Sequence, residues 1–283
     1  GTFLLTLGGP DMGKQIKVEL YKLLHSRTTY VSLIGYLFLL LIFFASGSVF
    51  MMVAGNLSVP SESIGFFKGI ADGINIPIQI SVLRSAHSFI IFSWLIGLNL
   101  CISTFSSETK NRTLSLYICE GGKAETLYIA KMFAICIVTT ILQLIFTLLC
   151  LFLMAGQLNY PLTTSEVLQT VGIALLNSVV LLAFLEFSVF MLTLLRSRIA
   201  VELILCLIPL IGAILYGTSF AEIQATGVQT PLVIKILPTY YWANLASLRL
   251  IDGIIWEALI YSILLFCGAA MGTVILLKHR EMK

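Results

Sequence analysis

The chain has 283 residues, of which 58% are hydrophobic and 11% charged, and its net charge is +3. A soluble globular chain carries about 45–50% apolar and about 25% charged residues, whereas mean hydropathy here is +1.00. Those values exclude a soluble enzyme, a disordered protein and a nucleic-acid binder on a membrane tail, and they leave no soluble stretch long enough for a second domain.

Residues 1–11 (GTFLLTLGGPD) read as a remnant ahead of Met12 and are set aside from the fold. Gly8, Gly13 and Lys14 have the spacing of a phosphate-binding loop, but Gln15 stands where Ser or Thr must hold Mg²⁺ and no buried strand precedes it. Ile16, Leu20, Leu23 and Leu24 then share one helical face, with Lys14, Lys17, Lys22 and His25 largely elsewhere. This pattern predicts an amphipathic helix lying in the membrane interface, with its basic side chains toward headgroups.

A membrane span needs about 20 apolar residues. Six stretches qualify: 30–54, 87–105, 127–154, 167–195, 199–216 and 254–277. The first has no small-residue cleavage site, so it does not read as a signal peptide. The expected fold is an all-α integral membrane protein: one membrane domain over 12–283 with six transmembrane helices and an N-terminal interfacial helix.

Charge sets the orientation. With the N-terminus inside, the inner segments hold Lys14, Lys17, Lys22, Arg27, Lys110, Arg112, Lys123, Lys131, Arg196, Arg198, Lys278, Arg280 and Lys283, which is 13 of the 17 basic residues. Only Lys68, Arg84, Lys235 and Arg249 fall outside. The positive-inside rule therefore predicts both termini in the cytoplasm.

Two outer segments are long. Segment 55–86 carries an apolar run before Arg84, so the second helix is expected to begin ahead of position 87. Segment 217–253 carries Pro238, Tyr240, Tyr241 and Trp242, which suit a short re-entrant or surface-lying helix. Pro209 is expected to kink the fifth span. Gly268 and Gly272 form a small-residue pair in the sixth.

The inner loop 106–126 is the informative segment. Leu114, Tyr117 and Ile118 share a helical face, and Gly121-Gly122 stops that short helix before a new one starts. Glu108, Lys110, Arg112, Glu120, Lys123 and Glu125 give the loop both signs of charge. A pure topology signal needs only the basic ones, so the mixture favours a docking element over a simple connector. Lys131 is expected to snorkel from the following span.

Glu108-x3-Arg112-Thr113-Leu114, then Gly121-Gly122-Lys123, then Leu127-x3-Lys131, resembles the signature of type-2 ABC transporter permeases. Those proteins commonly carry an E…(N/G)T(L/I) segment, a G-x-S-R or P-x-S-R turn, then an apolar residue and a Lys. The amphipathic N-terminal helix with Glu19 and Lys22, the six spans and the long outer segment before the last one are similar too. The likeness covers nearly the whole chain from Met12. It departs at Gly121-Gly122-Lys123-Ala124, which lacks the Ser and Arg of that turn but keeps a glycine break. Loop style and length are similar to permeases that handle bacitracin, lantibiotics and amphipathic peptides.

The resemblance implies a subunit of an ATP-driven exporter in the bacterial cytoplasmic membrane. It implies a second permease, the same or related, and two cytoplasmic ATPase subunits that bring ATP and Mg²⁺, so this chain binds no cofactor itself. The coupling helix would span about 111–120. Leu114, Tyr117 and Ile118 would enter a groove on the ATPase, with Glu108, Arg112, Thr113, Glu120, Gly121, Gly122 and Lys123 around them. The cargo would be hydrophobic or amphipathic, such as a peptide or antibiotic, and the biological setting antimicrobial resistance.

Polar residues within the spans are the pathway candidates. Glu186 lies ten residues from Arg196, about 15 Å at helical rise and so near the bilayer middle. It is either a substrate or gating contact or a hydrogen-bonded packing residue. Trp94 and Asn99, with Ser103 and Thr104, form a polar stripe on the second span, and Pro209 completes the set. Glu202 sits one turn past Arg198, where an ion pair explains it. Asn177 lies on a rotated face of the fourth span. His25, His87 and His279 are scattered and read as interfacial residues. Of the six cysteines (Cys101, Cys119, Cys136, Cys150, Cys206, Cys267), none falls in a predicted outer loop, so no disulfide framework is expected. Neither HExxH nor GxSxG occurs, and Ser46-Gly47-Ser48 has no activating His in the span, which argues against an intramembrane enzyme. A non-transporting assembly or sensory subunit and an ATP-independent six-span carrier are the alternatives.

Overall fold

The computed structural model describes residues 12–45, 50–55, 62–68, 76–88, 90–111, 124–227, 229–250 and 253–281. Helix α1 (Met12–Leu24) buries Glu19 and Leu23. Ser26 ends it and starts α2 (Arg27–Ala45): its Oγ accepts from the Thr29 N–H at 3.1 Å, and the Thr29 hydroxyl donates back to Leu23 O at 2.6 Å. This cap fixes the elbow between the two helices. Tyr36 and Leu40 of α2 pack on Phe146 and Cys150.

The expected first span, 30–54, is corrected by the structure. Helix α2 ends at Ala45, and Phe50–Gly55 is strand β1, paired antiparallel with β2 (Ser63–Lys68) in the register Phe50↔Lys68 to Gly55↔Ser63. Hydropathy alone made one helix of this run. Phe50 and Val53 are residue types that suit a strand. The fold is thus helical apart from one described hairpin.

Helix α3 (Ile78–Ser88) starts after Pro77, ahead of position 87 as the sequence suggests, and α4 (Ile90–Asn111) follows. Together they carry an apolar stretch over Ile78–Ser106. Helix α5 (Ala124–Gln157) has 34 residues, about 51 Å at helical rise and well beyond a 30 Å hydrocarbon core. Helix α6 (Thr164–Leu195) opens on a capping box: Thr163 accepts from the Glu166 N–H, and the Glu166 carboxylate accepts from the Thr163 N–H at 2.8 Å. The same carboxylate takes the Tyr160 hydroxyl at 2.6 Å and the Gln79 amide at 2.7 Å, which ties α3 to α6.

Arg196 in the left-handed region closes α6, and Ser197 caps α7 (Arg198–Thr226). Helix α7 runs ten residues past the expected end of that span at Tyr216. Gly217 does not stop it; Gly227, with φ +65°, does. Two short helices follow, α8 (Leu232–Lys235) and α9 (Pro238–Ala246), before α10 (Ile254–Glu281).

Every residue of α9 is buried. Trp242 meets Trp94 at 5.1 Å between ring centroids, and Phe184 closes the trio. Ser247, just past α9, accepts from the Gly65 N–H at 2.7 Å, so the hairpin and α9 form one cap. Tyr216, Asn244 and Arg249 hold the other side of that cap through 3.1 Å hydrogen bonds.

The largest core cluster joins Leu98, Ile102, Ile135, Leu181, Leu185 and Leu205 to these aromatics. Helix α10 lies along α6, and at Gly272 the contact is tight: a Cβ there would stand 2.6 Å from the Phe190 ring. Gly268 faces open space, so only one glycine of the pair serves helix approach. Outward faces carry Phe38, Ile141, Phe152, Ile199, Leu210 and Leu264 exposed, the surface a lipid-facing bundle presents. Among the described residues, five helical stretches are long and apolar enough to cross a membrane, and Arg27–Ile42 is a shorter apolar one. The chain is a multi-pass helical membrane protein.

Candidate functional site

Of the expected coupling residues, Arg112, Thr113, Leu114, Tyr117, Ile118, Glu120, Gly121, Gly122 and Lys123 lie outside the described residues, and Glu108 is described only as backbone in α4. The loop's two flanks are placed. Helix α4 runs into it as far as Asn111, and α5 leaves it at Ala124 with Glu125 in its first turn. An acidic side chain there suits the positive end of the helix dipole.

Just beyond that end lies a buried ion pair. Lys131 of α5, 3% exposed, meets Glu19 of α1, 5% exposed, and Lys22 holds the other Glu19 oxygen at 2.7 Å. Lys131 therefore does not snorkel. It turns inward because α1 packs along the start of α5 and brings a carboxylate to it. Burial raises the Glu19 pKa, but the hydrogen bonds and charges of Lys131 and Lys22 outweigh it and hold the carboxyl below its ordinary value. Residue Gly13 and Lys14 of the phosphate-loop spacing are helical, in the first turn of α1.

The pathway candidates separate. Trp94 is in the aromatic core with Trp242 and Phe184. Asn99 donates to Ser32 Oγ at 3.1 Å and lies 3.5 Å from Arg198 Nη2, between α2 and the start of α7. The carbonyl of Pro209 accepts from the Thr239 hydroxyl at 3.2 Å. At the next turn Gly212 gives Thr239 room, since a Cβ there would come within 2.8 Å of Thr239 Oγ1. Thus Pro209 seats α9 against α7. Arg198 pairs with Glu202 at 2.7 Å, the i, i+4 ion pair expected from sequence.

Glu186 lines a cavity. A cleft of about 420 Å³ opens between α5, α6 and α10, walled by Ile129, Met132, Phe133, Val179, Leu182, Ile263 and Phe266, with Tyr128, Cys136, Ser262, Cys267, Ala270 and Glu186 completing it. Glu186 is 0% exposed. Its Oε1 accepts the Tyr128 hydroxyl, and its Oε2 has no hydrogen-bond partner among the described residues. Tyr128 is the member that sequence reading missed; it lies in α5, 58 positions away.

Other buried polar groups lie in the bundle. His87, Gln143 and Asn177 each have both side-chain polar atoms without a partner among the described residues. His87 is 1% exposed, so it is a core residue of α3 and not an interfacial one; it sits on a helix whose last eight residues are all buried. A second, polar cavity of about 510 Å³ lies by Arg249, Tyr240 and the Lys235–Glu257 ion pair. Among the described residues no group of His, Cys, Asp and Glu has metal-binding geometry, and Cys101, Cys136, Cys150, Cys206 and Cys267 are free thiols. Compared with models of known families, with curated proteins and with solved structures, the chain matches none.

Proposed function

We propose that the chain is the transmembrane permease subunit of an ATP-driven exporter of the type-2 ABC class. It pairs with a second permease and with two separate ATPase subunits, and it moves a hydrophobic or amphipathic compound out of the cell across the bacterial cytoplasmic membrane. ATP and Mg²⁺ are bound by the ATPase partners, and hydrolysis is theirs.

The observation that carries this reading is the Glu19–Lys131 pair. Lys131 lies seven residues past the start of α5 at Ala124, about 10 Å along the helix. Helix α4 enters the loop, α5 leaves it, and the buried pair fastens α1 to α5 beside it. A force applied to the loop by an ATPase then moves three helices together. A simple connector has no need of a charge pair taken out of water, which costs several kcal/mol per ion before it is recovered by the partner. The mixed charge of segment 106–126 and the basic bias of the inner segments support the same orientation.

The test is copurification in detergent with the ABC ATPase encoded beside the chain. The native chain is expected to retain the ATPase. A variant with Leu114→Asp, Tyr117→Asp and Ile118→Asp is expected to lose it while eluting as the same folded species. A native chain that purifies alone, or a variant that keeps the partner, overturns the proposal.

A further inference from the structure

The geometry points to the α5–α6–α10 cleft as a binding site for a single-chain cationic amphiphile whose head is a primary ammonium group held by Glu186. The inference stands on the cleft and not on the transport reading.

Three observations converge. The cleft, about 420 Å³, has the size of small-ligand sites, which run from about 300 to 1,000 Å³. Its walls are apolar, and Phe133 and Ile263 at its mouth are exposed, so a ligand dissolved in the bilayer enters sideways. Its one carboxylate, Glu186, is fully buried, with one oxygen bonded and the other without a partner among the described residues. Tyr128 donates to Oε1, and the Ser262 hydroxyl is already committed to Ala258 O at 2.7 Å. Oε2 is the one side-chain N or O atom among the lining residues that lacks a partner.

The chemistry of the ligand follows. Among the described residues no Lys, Arg or His lines the cleft, so none of them brings a cation to Glu186 there. A buried acceptor surrounded by hydrocarbon wall selects a molecule with an N–H donor at one end and an apolar body. A primary amine serves either protonation state. As ammonium it pairs with the carboxylate. As free amine it takes the proton of a protonated carboxyl and forms the same pair. A neutral alcohol supplies one weaker donor and no charge. A quaternary ammonium supplies charge and no donor.

The test uses the full chain in lipid nanodiscs and radiolabelled dodecylamine, with empty nanodiscs as the blank. Saturable binding of one dodecylamine per chain is expected. 1-Dodecanol and dodecyltrimethylammonium should each displace it at least tenfold less well than unlabelled dodecylamine. Glu186→Gln keeps an acceptor for Tyr128 and should weaken binding at least tenfold. Ala270→Phe fills the cleft and should abolish it. Bound dodecylamine should also slow maleimide labelling of Cys267. Binding that does not saturate above the blank, displacement by dodecanol equal to that by dodecylamine, or unchanged affinity in Glu186→Gln overturns the assignment. The wild-type displacement series decides the matter even if a variant misfolds.

Discussion

Replacing Lys131 with Met removes an ammonium 3% exposed and leaves the Glu19 carboxylate, 5% exposed, with Lys22 alone. Breaking a buried pair on one side costs about 3–5 kcal/mol. Lys22 is 62% exposed, and a pair with an exposed partner recovers about 0.2–1 kcal/mol. The net loss at the α1–α5 contact is therefore about 2–5 kcal/mol. If α1 opens as a local unit, its amides exchange with solvent by that opening, and at tenfold per about 1.4 kcal/mol they should exchange roughly thirty-fold to a few thousand-fold faster in Lys131→Met. Lys22→Met should change them by less than about fivefold. The double variant Glu19→Gln, Lys131→Met removes both charges and should return exchange to within about tenfold of wild type. Equal effects of Lys131→Met and Lys22→Met, both within fivefold of wild type, would refute the assignment of Lys131 as the anchor.

Because Glu19 is held below its ordinary carboxylate value, its contribution is complete above that value and fades as pH falls through the lower, folded one. A spin label at Tyr21→Cys, with Cys119, Cys206 and Cys267 changed to Ser, should stay immobile from pH 7 to 5 and loosen only at more acidic pH; loosening already at pH 6 would contradict this. Glu166→Ala removes a cap and the acceptor for Tyr160 and Gln79, so it should cost about 1–3 kcal/mol, seen as faster amide exchange confined first to the start of α6. Gly272→Ala puts a Cβ 2.6 Å from the Phe190 ring and should cost about 1–3 kcal/mol by overpacking; Gly268→Ala should be neutral, and Phe190→Leu should rescue Gly272→Ala in thermal unfolding in detergent.

How far the fold could be read from the chain depends on what range of sequence carries the information. Long apolar runs such as Leu127–Met154 show themselves in hydropathy, since burial in lipid demands it at every turn. The break after Ala45 does not, because Phe50–Gly55 is as apolar as the helix before it and becomes a strand only by pairing with Ser63–Lys68. The start of α6 was legible in Thr163-x-x-Glu166, a capping-box spacing that an apolar count beginning at Val167 passes over. Glu186 stood out as a carboxylate far from either helix end. Its partner Tyr128 and the pairing of Glu19 with Lys131, 112 positions apart, are set by which helices lie together. Snorkelling was the local expectation for Lys131, and a tertiary contact replaced it. His87 read as an interfacial residue from its place near the start of an expected span, and only the packing of α3 shows that it is interior.

Whether segment 106–126 docks an ATPase is tested most directly by placing the photocrosslinker p-benzoylphenylalanine at Tyr117 and, as a control, at Ser165 on the opposite predicted side. Irradiation of membranes that also contain the ABC ATPase should yield one adduct of chain plus ATPase from position 117 and none from 165. No adduct at 117, or an equal one at 165, would contradict the coupling role.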